Sequence, residues 1–95
     1  MSMTDTLREK LAAAFTPAAL EIEDESARHA GHAGAQPGGE THFRVRIVSS
    51  AFEGASRVER QRRVYAALAA EMKAQVHALV LVTLTPSEAA SRGLR

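Results

Sequence analysis

Residues 41–50 read T-H-F-R-V-R-I-V-S-S. Phe43, Val45 and Ile47 alternate with His42, Arg44 and Arg46. Successive strand side chains point to opposite faces, so this stretch is a strand with one buried apolar face and one wet, cationic face. Upstream, Leu20 and Ile22 alternate in the same way with Glu21 and Glu23, which predicts a partner strand over 19–25. Before it, Leu7, Leu11 and Phe15 recur every four residues and predict a helix over Thr6–Phe15. Thr6 and Glu9 fit the capping box that opens such a helix. Thr16-Pro17 ends it, because the residue before proline disfavours the helical region.

The two strands are joined by residues 26–41, S-A-R-H-A-G-H-A-G-A-Q-P-G-G-E-T. Gly31, Gly34, Gly38, Gly39 and Pro37 leave this segment little to bury, and it reads as a long, flexible loop. Downstream, Ser49–Gly54 turns the chain, and Ser56 with Glu59 opens a helix that runs to about Ala74. Val58, Tyr65, Leu68 and Met72 are expected as its buried stripe, with Arg60 and Arg63 on the far side. Val76–Leu84 is apolar on both faces, the pattern of a central strand covered on both sides. Thr85-Pro86-Ser87-Glu88 starts a short C-terminal helix with proline at its favoured first position, and 91–95 reads as a frayed tail. The order is α-β-β-α-β-α, an α+β arrangement of helices against a three-stranded sheet in one domain over residues 1–95.

Composition narrows the function. The chain has 95 residues, 45% hydrophobic and 24% charged. A chain of this size buries only about 60–70% of its unfolded surface, enough for one modest core and not for a two-lobed active-site cleft. Without Cys it has no disulfide scaffold, thiol nucleophile or all-thiolate metal site of its own. No apolar run reaches the ~18–20 residues that span a bilayer. Asp5, Glu9 and Lys10 break any secretory or mitochondrial leader pattern, so a soluble cytoplasmic protein is expected. Residues 1–40 carry a net charge of −4 and residues 41–95 a net of +5. The total of +1 exerts no general pull on nucleic acid, while the basic half leaves room for a local anionic partner.

The chemistry-bearing residues are histidines and arginines. His29 and His32 lie in the glycine-rich loop, His42 on the polar face of the second strand, and His77 at the start of the third. Two or three imidazoles without a thiolate make an incomplete metal site, and an H-x-x-H in a loop is weak beside its reading as solvated polar residues. There is no G-x-S-x-G elbow, and Ser26, Ser49, Ser50 and Ser56 suit turns and caps. Glu21 and Glu25 fit a solvated strand edge. The residues make no case for a hydrolase. The G-x-x-G at Gly31–Gly34 is similar to the backbone clamp of KH domains, but it joins strands where that clamp joins helices. Arg57, Arg60, Arg62 and Arg63 form a run that is ordinarily a solvated helix face and that also suits phosphate contacts.

Taken together, these blocks resemble the BolA family. The matching residues are D-E-S at Asp24–Ser26, the histidine-bearing loop, E-T-H-F at Glu40–Phe43 and I-V-S at Ile47–Ser49. They continue through F-E-G at Phe52–Gly54, S-R-V-x-R-Q-R-x-V-Y from Ser56 to Tyr65, V-H-A-L at Val76–Leu79 and T-P at Thr85–Pro86. The resemblance covers roughly residues 5–90. One departure is Gln61, where the family often has His in an R-H-R triplet. The resemblance implies a class II KH-like fold, α-β-β-α-α-β, with a short C-terminal helix and helices packed on one side of the sheet. It also implies that the long helix breaks near its start, into a turn around Val58 and a longer helix from about Arg62.

Two non-enzymatic activities come with the resemblance. The first is a complex with a monothiol CGFS glutaredoxin, bridged by a 2Fe-2S cluster, in iron–sulfur trafficking or iron-dependent regulation. The glutaredoxin and its glutathione would supply two thiolates. His77, at the family's C-terminal histidine position, would supply a third ligand, and the loop a fourth. His29 keeps the D-E-S-x-x-H spacing and is preferred; His32, between glycines, has the greater backbone freedom. Such His₂Cys₂ ligation resembles the Rieske pattern, which raises the cluster potential. Both imidazoles bind only when neutral, so acid would loosen the complex. The second activity is DNA binding by a transcriptional regulator through a basic helix-turn-helix-like surface that includes Arg57, Arg60, Arg62 and Arg63. No membrane partner is implied, and alone the chain is expected as a monomer or weak homodimer.

Overall fold

The computed structural model describes residues 2–25 and 41–93. The loop expectations for 26–40, including His29, His32 and the G-x-x-G, and the end of the tail at 94–95 lie outside the described residues. The elements are α1 (Met3–Phe15), β1 (Ala19–Asp24), β2 (His42–Val48), a 3-10 turn (Ser50–Phe52), α2 (Arg57–Ala67), α3 (Ala69–Ala74), β3 (Ala78–Leu84) and α4 (Pro86–Ser91).

The strands form one sheet in the order β1-β2-β3. β1 pairs antiparallel with β2, from Ala19 opposite Val48 to Asp24 opposite Phe43. β2 pairs parallel with β3, from His42 opposite Ala78 to Val48 opposite Leu84. A parallel pair needs a long crossover, and α2 and α3 provide it. β3 is therefore an edge strand, not the central one its apolar sequence suggests. Its two apolar faces have separate explanations. Leu79 and Leu81 pack toward the main core, whereas Val82 and Leu84 pack with Val48, Ala19 and Ala89 of α4 in a second cluster.

The main core joins Leu7, Leu11 and Phe15 of α1, Phe43, Val45 and Ile47 of β2, and Phe52, Val64, Leu68 and Val76. The alternation read from β2 is thus realised, and each such side chain contributes about 1.5–3 kcal/mol on burial. α1 starts earlier than its stripe indicated. Ser2 is the N-cap, and the capping box is Ser2–Asp5, with the Asp5 N–H donating to Ser2 Oγ at 3.1 Å. Thr6 lies within the helix and donates its hydroxyl to the Ser2 carbonyl. Thr16 ends the helix in the left-handed region, φ 42°, just before Pro17.

The crossover helix departs most from expectation. Ser56 caps it as read, accepting from the Glu59 N–H at 3.1 Å. Its buried stripe, however, runs through Val64 and Leu68, and Val58 is 55% exposed. The break falls at Leu68 (φ −107°, ψ 18°), near the helix end and not its start. Tyr65-Ala66-Ala67-Leu68-Ala69-Ala70 contains no breaker residue, so packing decides the bend, with the fully buried Leu68 as its pivot. α4 begins with the Thr85–Glu88 capping box and Pro86 inside it, as read.

Candidate functional site

The strand ends nearest the 26–40 segment gather at one end of the sheet. Where the chain leaves β1, the Glu25 N–H donates to the His42 carbonyl at 2.7 Å. Arg44 Nε donates to Glu25 Oε2 at 3.1 Å. Where the chain re-enters, Thr41 is buried and its carbonyl accepts from the His77 N–H at 2.7 Å and the Ala78 N–H at 3.2 Å. The re-entry anchor, Thr41, therefore sits directly beside His77, and the exit anchor, Glu25, lies across β2 from it.

His77 itself is exposed. Its backbone is tied into the sheet while its imidazole faces outward, and the ring lies 6.2 Å from that of His42, centroid to centroid. His42 is half-buried, and its Nδ1 is 2.8 Å from Thr41 Oγ1. That contact ties the His42 ring to the start of β2. Among the described residues no three His, Asp or Glu side chains are grouped closely enough to hold a metal ion. The described residues thus place one exposed imidazole, His77, and one half-buried one, His42, at this end.

The arginines separate into different kinds. Arg60 was expected on the far side of the helix, but its side chain is only 11% exposed. Its Nε donates to the Ala55 carbonyl (3.0 Å), and its Nη1 to the Thr83 carbonyl (3.1 Å) and to Glu88 Oε1 (2.6 Å). The guanidinium also lies 5.9 Å from the Phe52 ring centroid. It fastens α2 to β3 and α4. Glu88 accepts from Arg60 and from the Thr85 N–H, and these bonds hold its carboxyl at about 2, against an ordinary 4.5. Arg63 donates to the Ala51 carbonyl at 3.0 Å and lies 3.8 Å from Glu59. Arg57 and Arg62 are exposed. Arg92, not singled out from the sequence, joins Arg57 around a cavity of about 150 Å³ beside β3. A basic residue just after the short T-P-S-E helix was the available signal.

The family model described as BolA-like protein matches residues 11–88. The chain belongs to the BolA family. This BolA-like chain is 50% identical over 86 residues to SufE-like protein 1, chloroplastic/mitochondrial, of Arabidopsis thaliana, covering 86% of this chain and 23% of that protein. It thus spans about a quarter of that relative's length. The BolA domain of SufE1 from Arabidopsis thaliana, a solved structure, superposes with a TM-score of 0.82 at 48% identity, over 93% of this chain and 96% of that one. The DNA-binding transcriptional regulator BolA of Escherichia coli strain K12 is 44% identical over 88 residues, 93% of this chain and 80% of that protein. The BolA fold accounts for the α-β-β-α-α-β order with its short final helix. Among the described residues no helix is long and apolar enough to cross a membrane.

Proposed function

We propose that this BolA-like chain is a non-enzymatic, cytoplasmic partner of a monothiol CGFS glutaredoxin and co-ligates a 2Fe-2S cluster shared with that protein and its glutathione. The observation that carries the reading is the exposed His77 imidazole, whose backbone N–H donates to Thr41 at the point where the His29/His32 segment re-enters the sheet. His29 lies four positions beyond Glu25, a span of at most about 14 Å. A histidine on that tether has the length to meet His77 at one centre. The donor chemistry fits a shared centre only: imidazole is available here, thiolate is absent from the whole chain, and the described residues hold no complete ligand set. The cluster, when bound, would supply electron transfer or a transferable iron–sulfur unit. The chain's own part is to hold one ligand just before β3, by the His77 N–H bonded to Thr41, and to offer a second from the tether.

The test is reconstitution with a CGFS glutaredoxin, iron, sulfide and glutathione, followed by visible absorption and circular dichroism. A spectrum distinct from the glutaredoxin alone and altered in His77→Ala is expected. An unchanged spectrum removes His77 from the site.

A second reading, a DNA-binding regulator, is favoured by the name of the Escherichia coli relative. Its basic surface is smaller than the sequence suggested, because Arg60 is committed to Glu88 and two carbonyls. Arg57 and Arg62, with Arg63 in part, remain for phosphate. This reading requires affinity for a particular duplex above that for bulk DNA and a steep loss with salt. Equal, weak affinity for every duplex leaves only nonspecific electrostatics.

A further inference from the structure

The outer edge of β3 differs from an ordinary strand edge. The Ala78 N–H reaches Thr41 and the Leu84 carbonyl accepts from Ser49, so Ala78, Val80, Val82 and Leu84 turn their backbone groups toward β2. Leu79, Leu81 and Thr83 therefore turn theirs outward. α2 reaches across and occupies two of these three carbonyls. Tyr65 Oη donates to Leu79 at 3.4 Å, and Arg60 Nη1 donates to Thr83 at 3.1 Å. Leu81 lies midway between them and lines the cavity of about 150 Å³, together with Arg57 and Gln61 of α2 and Arg92.

Three observations define what fits there. Leu81 turns outward both an N–H and a C=O, the complement of a peptide unit; phosphate oxygens, being acceptors, match only the N–H. Arg57 and Arg92 are exposed, and the acid lining the adjoining cavity, Glu88, is already held by Arg60. The most exposed large hydrophobic residues among those described are Val58 and Tyr65 on α2 and Val80 on β3. An added strand projects alternate side chains to both faces of the sheet. A second copy offering its acidic β1 edge would continue head to tail without closing.

We propose that the β3 edge at Leu81 is a docking site for an extended acidic segment of a partner protein, which adds a short strand paired to Leu81 and sets carboxylates against Arg57 and Arg92. The site is four residues along β3 from His77 and does not depend on cluster ligation.

The test uses the full chain, ¹⁵N-labelled, and the probe acetyl-(Glu-Val)₄-amide beside its Lys-Val counterpart. Saturable binding of the acidic probe is expected, weakened by salt. The Leu81 amide should gain protection from hydrogen exchange, while Ala78, Val80 and Val82 stay as they were. The double reversal Arg57→Glu/Arg92→Glu, at two exposed positions, should weaken the probe at least about tenfold. No binding at millimolar probe, equal binding of the Lys-Val peptide, or binding without new protection at Leu81 overturns the proposal. So does protection of Leu81 by a DNA duplex and not by the peptide, which would make the groove a nucleic-acid site. Protection that grows with protein concentration alone would assign the edge to a second copy.

Discussion

The two ends of β3 are built for opposite purposes. At its C-terminal end, Thr83 and Leu84 are buried, and Arg60, Glu88 and the α4 capping box tie three elements together. At its N-terminal end the backbone is just as firmly paired, through the Thr41 carbonyl, but the His77 side chain is left to solvent. A charged residue whose three guanidinium nitrogens all donate within the fold does structural work, however basic the helix looks. A polar residue on a fixed backbone with an accessible ring is available to a partner. The contrast can be broken from either end.

The largest effect belongs to Arg60. Arg60→Ala leaves the Ala55 and Thr83 carbonyls without this donor and uncovers Phe52. A loss of about 2–4 kcal/mol in denaturant unfolding is expected. Arg62→Ala, on the exposed face, should stay within about 0.5 kcal/mol. Equal effects would mean that the two arginines are not divided between fold and surface. Next comes Ser49, which the sequence placed only in a turn. It is fully buried, donates to the Phe15 carbonyl at 2.6 Å and accepts from the Ala51 N–H at 3.1 Å. It thereby joins the end of α1 to the end of β2, and Ser49→Ala should cost about 1–3 kcal/mol.

These two residues also show where the sequence was legible. β2 alternates strictly, so its faces, its core residues and its pairing with β1 followed from period two. The caps at Ser56 and Thr85 were legible because capping is local chemistry. The α2 stripe was misphased because the buried face carries Arg60, Gln61 and, beyond the bend, Glu71. Glu71 is buried and salt-bridged to Lys10 at 2.7 Å, while Val58 and Tyr65 point outward. Apolarity alone cannot find a buried face whose polar members are satisfied by distant partners. β3 read as central because its second face is also apolar, but there only Val82 and Leu84 pack, against Val48 and Ala89, while Val80 is exposed. At the candidate site, the family resemblance pointed to His77, but the adjacency of Thr41 to it depends on the parallel register of β2 and β3, and no local pattern encodes that.

Acid offers a finer probe of the fastened end. Glu88 titrates lower in the fold than in the unfolded chain, so its contribution is complete above about pH 4.5 and is lost as pH falls toward about 2. Urea unfolding followed from pH 5 to pH 2 should show stability falling through this window. Glu88→Gln should flatten that part of the slope while lowering stability at neutral pH. A variant with the wild-type slope would show that the Arg60–Glu88 pair carries none of the acid response.

The smallest effect on the fold is expected at the open end, and its smallness is what gives it value. His77 contributes to the sheet through its main-chain N–H, which alanine retains, and its side chain is exposed. His77→Ala should therefore shift stability by no more than about 0.5 kcal/mol, and any change in the reconstituted spectrum would then report ligation and not unfolding. His42 supplies the contrast: its ring meets Thr41 Oγ1 at 2.8 Å and is half-buried. His42→Ala should cost about 1 kcal/mol and leave the spectrum alone. If both variants moved the spectrum in proportion to lost stability, the effect would come from a loosened strand end. If only His77→Ala moved it, at unchanged stability, the imidazole itself would be the group the partner's cluster meets.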